Sequence, residues 1–119
     1  MKIGIVTVSD RASRGEYEDL SGPAIENWLK SAIVTPYETI RRVIPDGIIS
    51  VRDTLIDLAD NVECDLILTT GGTGPSPRDE TPEAMKIVLH KELPGFGEQM
   101  RRVSLQQTPT AILSRQKIG

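Results

Sequence analysis

The chain is poor in cysteine, histidine and aromatic residues. Its 119 residues include one Cys, one His, one Trp, one Phe and two Tyr. Because Cys64 is the only cysteine, a disulfide framework or a paired-cysteine metal site within the chain is excluded, and we expect Cys64 to be a small buried residue. With so few aromatic side chains, the core must be built from Ile, Val and Leu.

The chain also lacks a basic excess and long apolar runs. It carries 14 Lys and Arg against 17 Asp and Glu, a formal net charge of -3. No basic block interleaved with aromatics is present, which argues against a nucleic-acid binder. The apolar runs are too short for a membrane span, and residues 1–13 do not have the layout of a signal peptide. We therefore predict one cytoplasmic domain, residues 1–119, with no nucleic-acid or membrane partner.

Apolar patterning predicts alternating strands and helices. Four segments fit strands of a parallel sheet: residues 3–8, 38–44, 65–70 and 110–113. Arg41 and Arg42 interrupt the second, so we place it near a sheet edge. Helical spacing appears in residues 20–33, 48–62, 81–90 and from Pro94, with Trp28 on an apolar stripe and Thr81 as an N-cap. The alternation predicts an α/β fold with a mostly parallel sheet and helices on both faces.

Candidate functional residues follow the predicted strands. In parallel sheets, ligands bind outside the carboxyl ends of the strands. The residues at those ends are Ser9 and Asp10, then Asp46, then the loop Gly71, Gly72, Thr73 and Gly74. Glycines let an anion approach the backbone N–H groups, and the next helix directs its positive end towards the same region. The loop predicts a phosphate cradle, although it has neither nucleotide-binding glycine motif and a plain strand-to-helix turn would explain it as well.

Two aspartates belong to the same predicted rim. Asp46 and Asp79 would repel a phosphate unless a cation joined them, and Mg²⁺ held by one or two carboxylates plus phosphate oxygens is the usual solution. The simpler alternatives are a turn residue for Asp46 and a helix N-terminal charge for Asp79. Arg78 could pair with Asp79, contact a phosphate or remain a solvated surface charge.

Five motifs in order carry a resemblance to a known family. They are TVSDRASRGEYEDLSGPAI at residues 7–25, IPD at 44–46, LTTGGTGPSPRDETPEA at 68–84, LPGFGEQMR at 93–101 and TAILSRQ at 110–116. Together they resemble the molybdopterin adenylyltransferase family, which includes bacterial MogA proteins and gephyrin G domains. The resemblance covers nearly the whole chain.

The resemblance implies a three-layer molybdopterin-binding domain, commonly a homotrimer. The implied reaction is Mg²⁺-dependent transfer of AMP from ATP to the terminal phosphate of molybdopterin, releasing pyrophosphate and preparing the product for a molybdate-insertion protein. Asp46 and Asp79 match the family's two essential aspartates and would hold the metal. The loop Gly71, Gly72, Thr73 and Gly74 matches the pterin-phosphate loop, and Ser9 and Asp10 border the same pocket.

The resemblance departs from the family pattern at the C-terminal end of the chain. Family members continue beyond the LSRQ segment with a further strand and an Asn-Leu-Pro-Gly-type loop, whereas here residues 117–119 follow. We therefore expect a domain that is incomplete at its C-terminus, with an exposed sheet edge. Two alternatives to the enzyme are a non-catalytic molybdopterin-binding or scaffold domain and a generic nucleotide-binding module.

Overall fold

A three-stranded parallel sheet forms the centre of the chain. The computed structural model describes all residues from 1 to 119. The strands β1 (Lys2–Val8), β2 (Glu38–Ile44) and β3 (Leu66–Thr70) lie side by side in the order β2-β1-β3. Because β1 is paired in parallel with both neighbours, the carboxyl ends of all three strands meet at one edge. The prediction that residues 38–44 form an edge strand is confirmed.

Helices connect and follow the strands. They are α1 (Asp10–Ser13), α2 (Ser21–Ala32), α3 (Ile48–Ile56), α4 (Thr81–Val88) and α5 (Pro94–Leu105). A π-helical turn, Asp57–Asn61, extends α3, and a 3-10 helix, Pro109–Leu113, follows α5. None of the helices has both the length and the apolar character needed to cross a membrane.

Alternate side chains of β1 enter two separate apolar clusters. Val6 and Val8 pack on one face of the sheet with residues of α3, the π-helical turn and α4, namely Val51, Leu55, Leu58 and Ala84. Ile3 and Ile5 pack on the other face with Leu29 of α2. This two-residue period and the burial of both faces are what a central parallel strand requires. The predicted α/β fold with helices on both faces is confirmed.

Asp19 fixes the start of α2 against the sheet. Its Oδ1 accepts the N–H groups of Ser21 and Gly22, each at 3.1 Å, and its Oδ2 accepts the Thr7 hydroxyl and the Arg41 guanidinium, each at 3.0 Å. Burial alone would raise the pKa of Asp19, but the hydrogen bonds from Gly22, Thr7 and Arg41 outweigh it, so the pKa lies below its usual value. The segment between β1 and α2 is thereby tied to both β1 and β2.

Two sequence predictions about elements are wrong. Residues 110–113 belong to the 3-10 helix and not to a fourth strand, since Pro109 opens a turn in which Ala111 donates to Thr108 and Ser114 donates to Ala111. Thr81 is the first residue of α4 and not its N-cap, a position that Glu80 occupies without a side-chain hydrogen bond.

Two predictions about burial also need correction. The side chain of Trp28 is 62% exposed, because the stripe of α2 that faces the sheet is centred on Ile25, Leu29 and Ile33. Trp28 stands one residue, about 100°, away from Leu29 around the helix. Cys64 is half-buried and packs against the cluster under α3. Burial raises the pKa of its thiol, which makes it a poor nucleophile.

Candidate functional site

The loop after β3 is held in a conformation that glycine alone tolerates. Gly71 and Gly72 have φ angles of 96° and 67°. A Cβ on Gly71 would overlap the backbone carbonyl of Val8, and one on Gly72 would overlap the Thr81 hydroxyl. From the start of α4, Thr81 donates its hydroxyl to Gly71 O and its N–H to Gly72 O, both at 3.0 Å. Thr81, the first residue of α4, therefore satisfies the carbonyl oxygens of Gly71 and Gly72.

The N–H groups of the same loop are free. Those of Gly72, Thr73 and Gly74 donate to no acceptor in the protein. Unpaired backbone donors beside glycines, next to the N-terminus of an eight-residue helix, are groups that can bind an anion. The plain strand-to-helix turn remains compatible with the backbone path, because water can satisfy these partly exposed donors.

Asp46 and Asp10 bind each other across the ends of β1 and β2. Asp10 N–H donates to Asp46 Oδ2 at 2.9 Å, and Asp46 N–H donates to Asp10 Oδ1 at 3.1 Å. Asp46 Oδ1 accepts no hydrogen bond and lies 3.2 Å from the position that a Cβ would take on Gly72. The sequence placed both aspartates at the rim, and the structure brings them together there.

Arg78 forms hydrogen bonds with both members of this pair. Its Nε and Nη2 donate to the two carboxylate oxygens of Asp10 at 3.1 and 3.0 Å, and Nη2 also donates to Asp46 O at 2.9 Å. Among the alternatives for Arg78, pairing with Asp79 is therefore wrong, because the partner is Asp10. The hydrogen bond from Arg78 holds the pKa of Asp10 below its usual value.

Asp79 stands at the other end of the loop. Its Oδ2 accepts Ser76 N–H at 3.1 Å and lies 2.7 Å from the position of a Cβ on Gly74. Gly74 thus leaves the space that the carboxylate occupies. Asp46 and Asp79 flank the free N–H groups at Gly72 and Gly74, respectively.

The donor set limits what metal this site could hold. Nowhere does the chain gather three or more His, Cys, Asp or Glu side chains suited to a metal ion. Asp46 and Asp79 each keep one carboxylate oxygen that accepts no hydrogen bond. One or two carboxylates completed by phosphate oxygens and water suit Mg²⁺, which rarely uses an all-protein cage. The residues therefore fit a metal that arrives with a phosphate substrate.

Ser9 has a structural role at the rim. Its hydroxyl oxygen accepts Ala12 N–H at 3.2 Å and caps α1. It also lines a cavity of about 230 Å³ on the α2 side of the loop, together with Tyr17, Asp19 and Gly71. This cavity adjoins the Gly-rich loop at Gly71.

Sequence reasoning missed Arg115. Its guanidinium donates to the carbonyls of Gly74 and Asp79 and to the Glu83 carboxylate, and its N–H donates to Thr73 O. Arg115 lies 41 residues beyond Gly74 in the chain, and residue spacing along the chain cannot predict a contact over that separation. Its only signal was its position inside the TAILSRQ motif.

Acidification is expected to remove the contribution of the Asp10–Arg78 pair to stability. The folded pKa of Asp10 is lowered, so the pair stabilises the fold fully above the ordinary aspartate pKa of about 4 and loses its effect as the pH falls through the lower, folded value. The free energy of unfolding of wild type should exceed that of Asp10→Asn at about pH 7, and this difference should shrink below about pH 4.

Urea unfolding of both proteins across this pH range is the measurement. Asp60→Asn serves as the control, since Asp60 is exposed and the substitution removes one carboxylate. A wild-type advantage over Asp10→Asn that stays constant down to about pH 3 would contradict the assignment.

Comparison with known proteins identifies the family. Residues 4–119 match the family described as "Probable molybdopterin binding domain". The molybdopterin adenylyltransferase of Escherichia coli K12 is 55% identical over 116 residues, covering 98% of this chain and 60% of that protein. Gephyrin of Dictyostelium discoideum is 40% identical over 125 residues, covering 98% of this chain and 17% of that protein.

Solved structures of related proteins share the fold of this chain. The molybdopterin biosynthesis enzyme MoaB of Thermus thermophilus superposes with a TM-score of 0.87 at 44% identity, covering 99% of this chain and 73% of that one. A MogA structure superposes with a TM-score of 0.88 at 40% identity, covering 100% and 76%. This chain spans about 60% of the length of the E. coli relative. On the strength of the sequence match and the shared fold, the chain belongs to the molybdopterin-binding domain family of molybdenum-cofactor biosynthesis.

Proposed function

We propose that this chain is a molybdopterin adenylyltransferase domain that transfers AMP from ATP to the terminal phosphate of molybdopterin. The observation that carries the proposal is the row of free N–H groups at Gly72, Thr73 and Gly74, flanked by the carboxylates of Asp46 and Asp79. The amides suit the phosphate of the pterin, and the carboxylates suit a metal-bound triphosphate. Relatives that cover 98% of this chain carry the name of this activity.

The reaction needs no nucleophile from the protein. A phosphate oxygen of molybdopterin attacks the α-phosphorus of ATP, the new P–O bond forms, the bond to the β-phosphate bridging oxygen breaks, and pyrophosphate leaves. The attacking phosphate is already ionised at neutral pH, so a general base has little to do. The protein contributes by orienting the two reactants and by directing backbone donors at the attacking phosphate.

The two aspartates are proposed to hold Mg²⁺ through their free oxygens. When bound, the cation would offset charge on the triphosphate and the leaving pyrophosphate. Asp10 and Arg78 orient Asp46, and the bond from Ser76 N–H orients Asp79. Each carboxylate is thereby fixed at one oxygen and left open at the other.

Family membership supports three further proposals. These are a homotrimer, a cytoplasmic location and delivery of the adenylylated product to a molybdate-insertion protein. Large apolar side chains on the surface, such as Phe96 at 62% and Ile112 at 70% exposure, are compatible with subunit contacts.

A binding domain without catalysis is the second candidate. The free amides favour it equally, because holding the pterin phosphate requires them and does not require the carboxylates. The enzyme and the binding domain differ in whether Asp46 and Asp79 act on bound ATP.

Pyrophosphate release from ATP and Mg²⁺, with and without molybdopterin, tests the proposal on the 119-residue chain. We expect release that depends on molybdopterin. A folded chain that binds molybdopterin without releasing pyrophosphate would support the binding domain, and binding of ATP with no preference for the pterin would support a generic nucleotide-binding module.

A further inference from the structure

Arg115 connects the C-terminal segment to three parts of the loop site. Its Nε donates to Gly74 O at 2.9 Å, its Nη2 donates to Asp79 O at 2.7 Å, and its backbone N–H donates to Thr73 O at 2.8 Å. Its Nη1 donates to Glu83 Oε1 in α4 at 2.7 Å. One residue therefore holds both ends of the segment from Thr73 to Asp79.

The bond from Arg115 N–H helps to determine where the Gly74 amide points, whereas Thr81 binds the carbonyls of the two preceding peptide units. In a trans peptide, the C=O and the following N–H lie on opposite sides of the peptide unit. When Arg115 takes the carbonyl of Thr73, the N–H of Gly74 is directed away from Arg115, and that N–H is one of the three free donors. The N–H of residue 115 remains whichever side chain that residue carries. The Arg115 side chain adds the bond from Nε to Gly74 O. Without this bond Gly74, which has no Cβ to restrict it, can change its backbone angles and with them the direction of its N–H.

The same guanidinium secures the first turn of α4. Glu83 Oε1 is bound by Arg115, while Glu83 Oε2 is buried without a hydrogen-bond partner. Arg115 is thus the sole side chain that pairs with this carboxylate. The helix that supplies Thr81 to the loop carbonyls is tied to the loop through Arg115 as well.

We propose that Arg115 is a positioning residue that orients the free N–H of Gly74, in the Gly72–Gly74 loop, towards a phosphate. The inference rests on the proposed function, because it assumes that the loop amides bind the phosphate of the substrate. Arg115 acts through the loop, since each of its three guanidinium nitrogens donates to a protein acceptor, in Gly74, Asp79 or Glu83.

The test follows the binding of inorganic phosphate by amide NMR of the chain. In wild type, the signals of Gly72, Thr73 and Gly74 should shift as phosphate is added. Arg115→Ala should raise the Kd read from these signals about tenfold or more. Arg115→Lys retains the charge but cannot reach three acceptors at once, so its Kd should lie between the other two.

Lys117→Ala is the matched control. It removes one positive charge two residues from Arg115, and Lys117 pairs with Glu92 and not with the loop. Its Kd should remain within about twofold of wild type. A general charge effect would weaken binding equally in Arg115→Ala and Lys117→Ala, and this result would overturn the proposal.

Other outcomes separate this inference from the proposed function. If wild-type loop signals shift but Arg115→Ala binds phosphate as tightly as wild type, only the role of Arg115 is wrong. If the wild-type loop signals do not respond to phosphate, the phosphate site itself is wrong and both proposals fall. If Arg115→Ala does not fold, Arg115→Lys decides: an unchanged Kd overturns the proposal, and a raised Kd with intact fold supports it.

Discussion

Asp46→Asn and Asp79→Asn are each expected to lower molybdopterin-dependent pyrophosphate release by about a hundredfold or more. An amide has nearly the shape of a carboxylate, and its oxygen can still accept the bond from Asp10 N–H or Ser76 N–H. The substitution therefore removes the charge that would hold the metal-bound triphosphate and keeps the local fold. Steady-state release and molybdopterin binding, measured on the same preparations, check the result.

The pterin affinity of both variants should stay within about threefold of wild type, since the loop amides are unchanged. Asp60→Asn is the control for the loss of one carboxylate on the exposed surface, and it should turn over normally. Normal turnover by either Asp46→Asn or Asp79→Asn would remove that aspartate from the catalytic proposal.

Gly71→Ala is expected to lower the free energy of unfolding by more than about 3 kcal/mol. The added Cβ would overlap the carbonyl oxygen of Val8, which belongs to the central strand and cannot move without disturbing the sheet. The φ of 96° adds strain of its own. Urea unfolding measures the loss, and the loop amides should also lose their phosphate response.

Gly15→Ala separates the clash from the backbone strain. Gly15 has a similar φ of 74°, but a Cβ there would meet nothing within 4 Å. We expect a loss of about 1 kcal/mol, due to the left-handed backbone alone. Equal losses for Gly15→Ala and Gly71→Ala would show that the close approach to Val8 is unimportant.

The pattern of apolar and β-branched residues along the chain was sufficient to predict the three strands of the sheet. Residues 38–44 are rich in β-branched side chains, which predicts a strand, and Arg41 and Arg42 predict an edge position. β2 occupies Glu38–Ile44 at an edge of the sheet. The same reasoning failed at residues 110–113, where the apolar run follows Pro109 in a 3-10 helix. Short apolar runs do not by themselves distinguish strand from turn, and there the preceding proline prevailed.

The candidate site also has features that the sequence predicts and features that depend on packing. Sequence pattern alone predicts which residues stand at the strand ends, because parallel strands alternating with helices bring Asp10, Asp46 and the Gly71 loop to one edge whatever the packing details. The packed fold is needed to show that Arg78 binds Asp10, that Trp28 is exposed and that Arg115 bonds to the loop. Chain direction and periodicity are local properties, whereas side-chain partners 41 or 68 residues apart depend on how the elements finally pack.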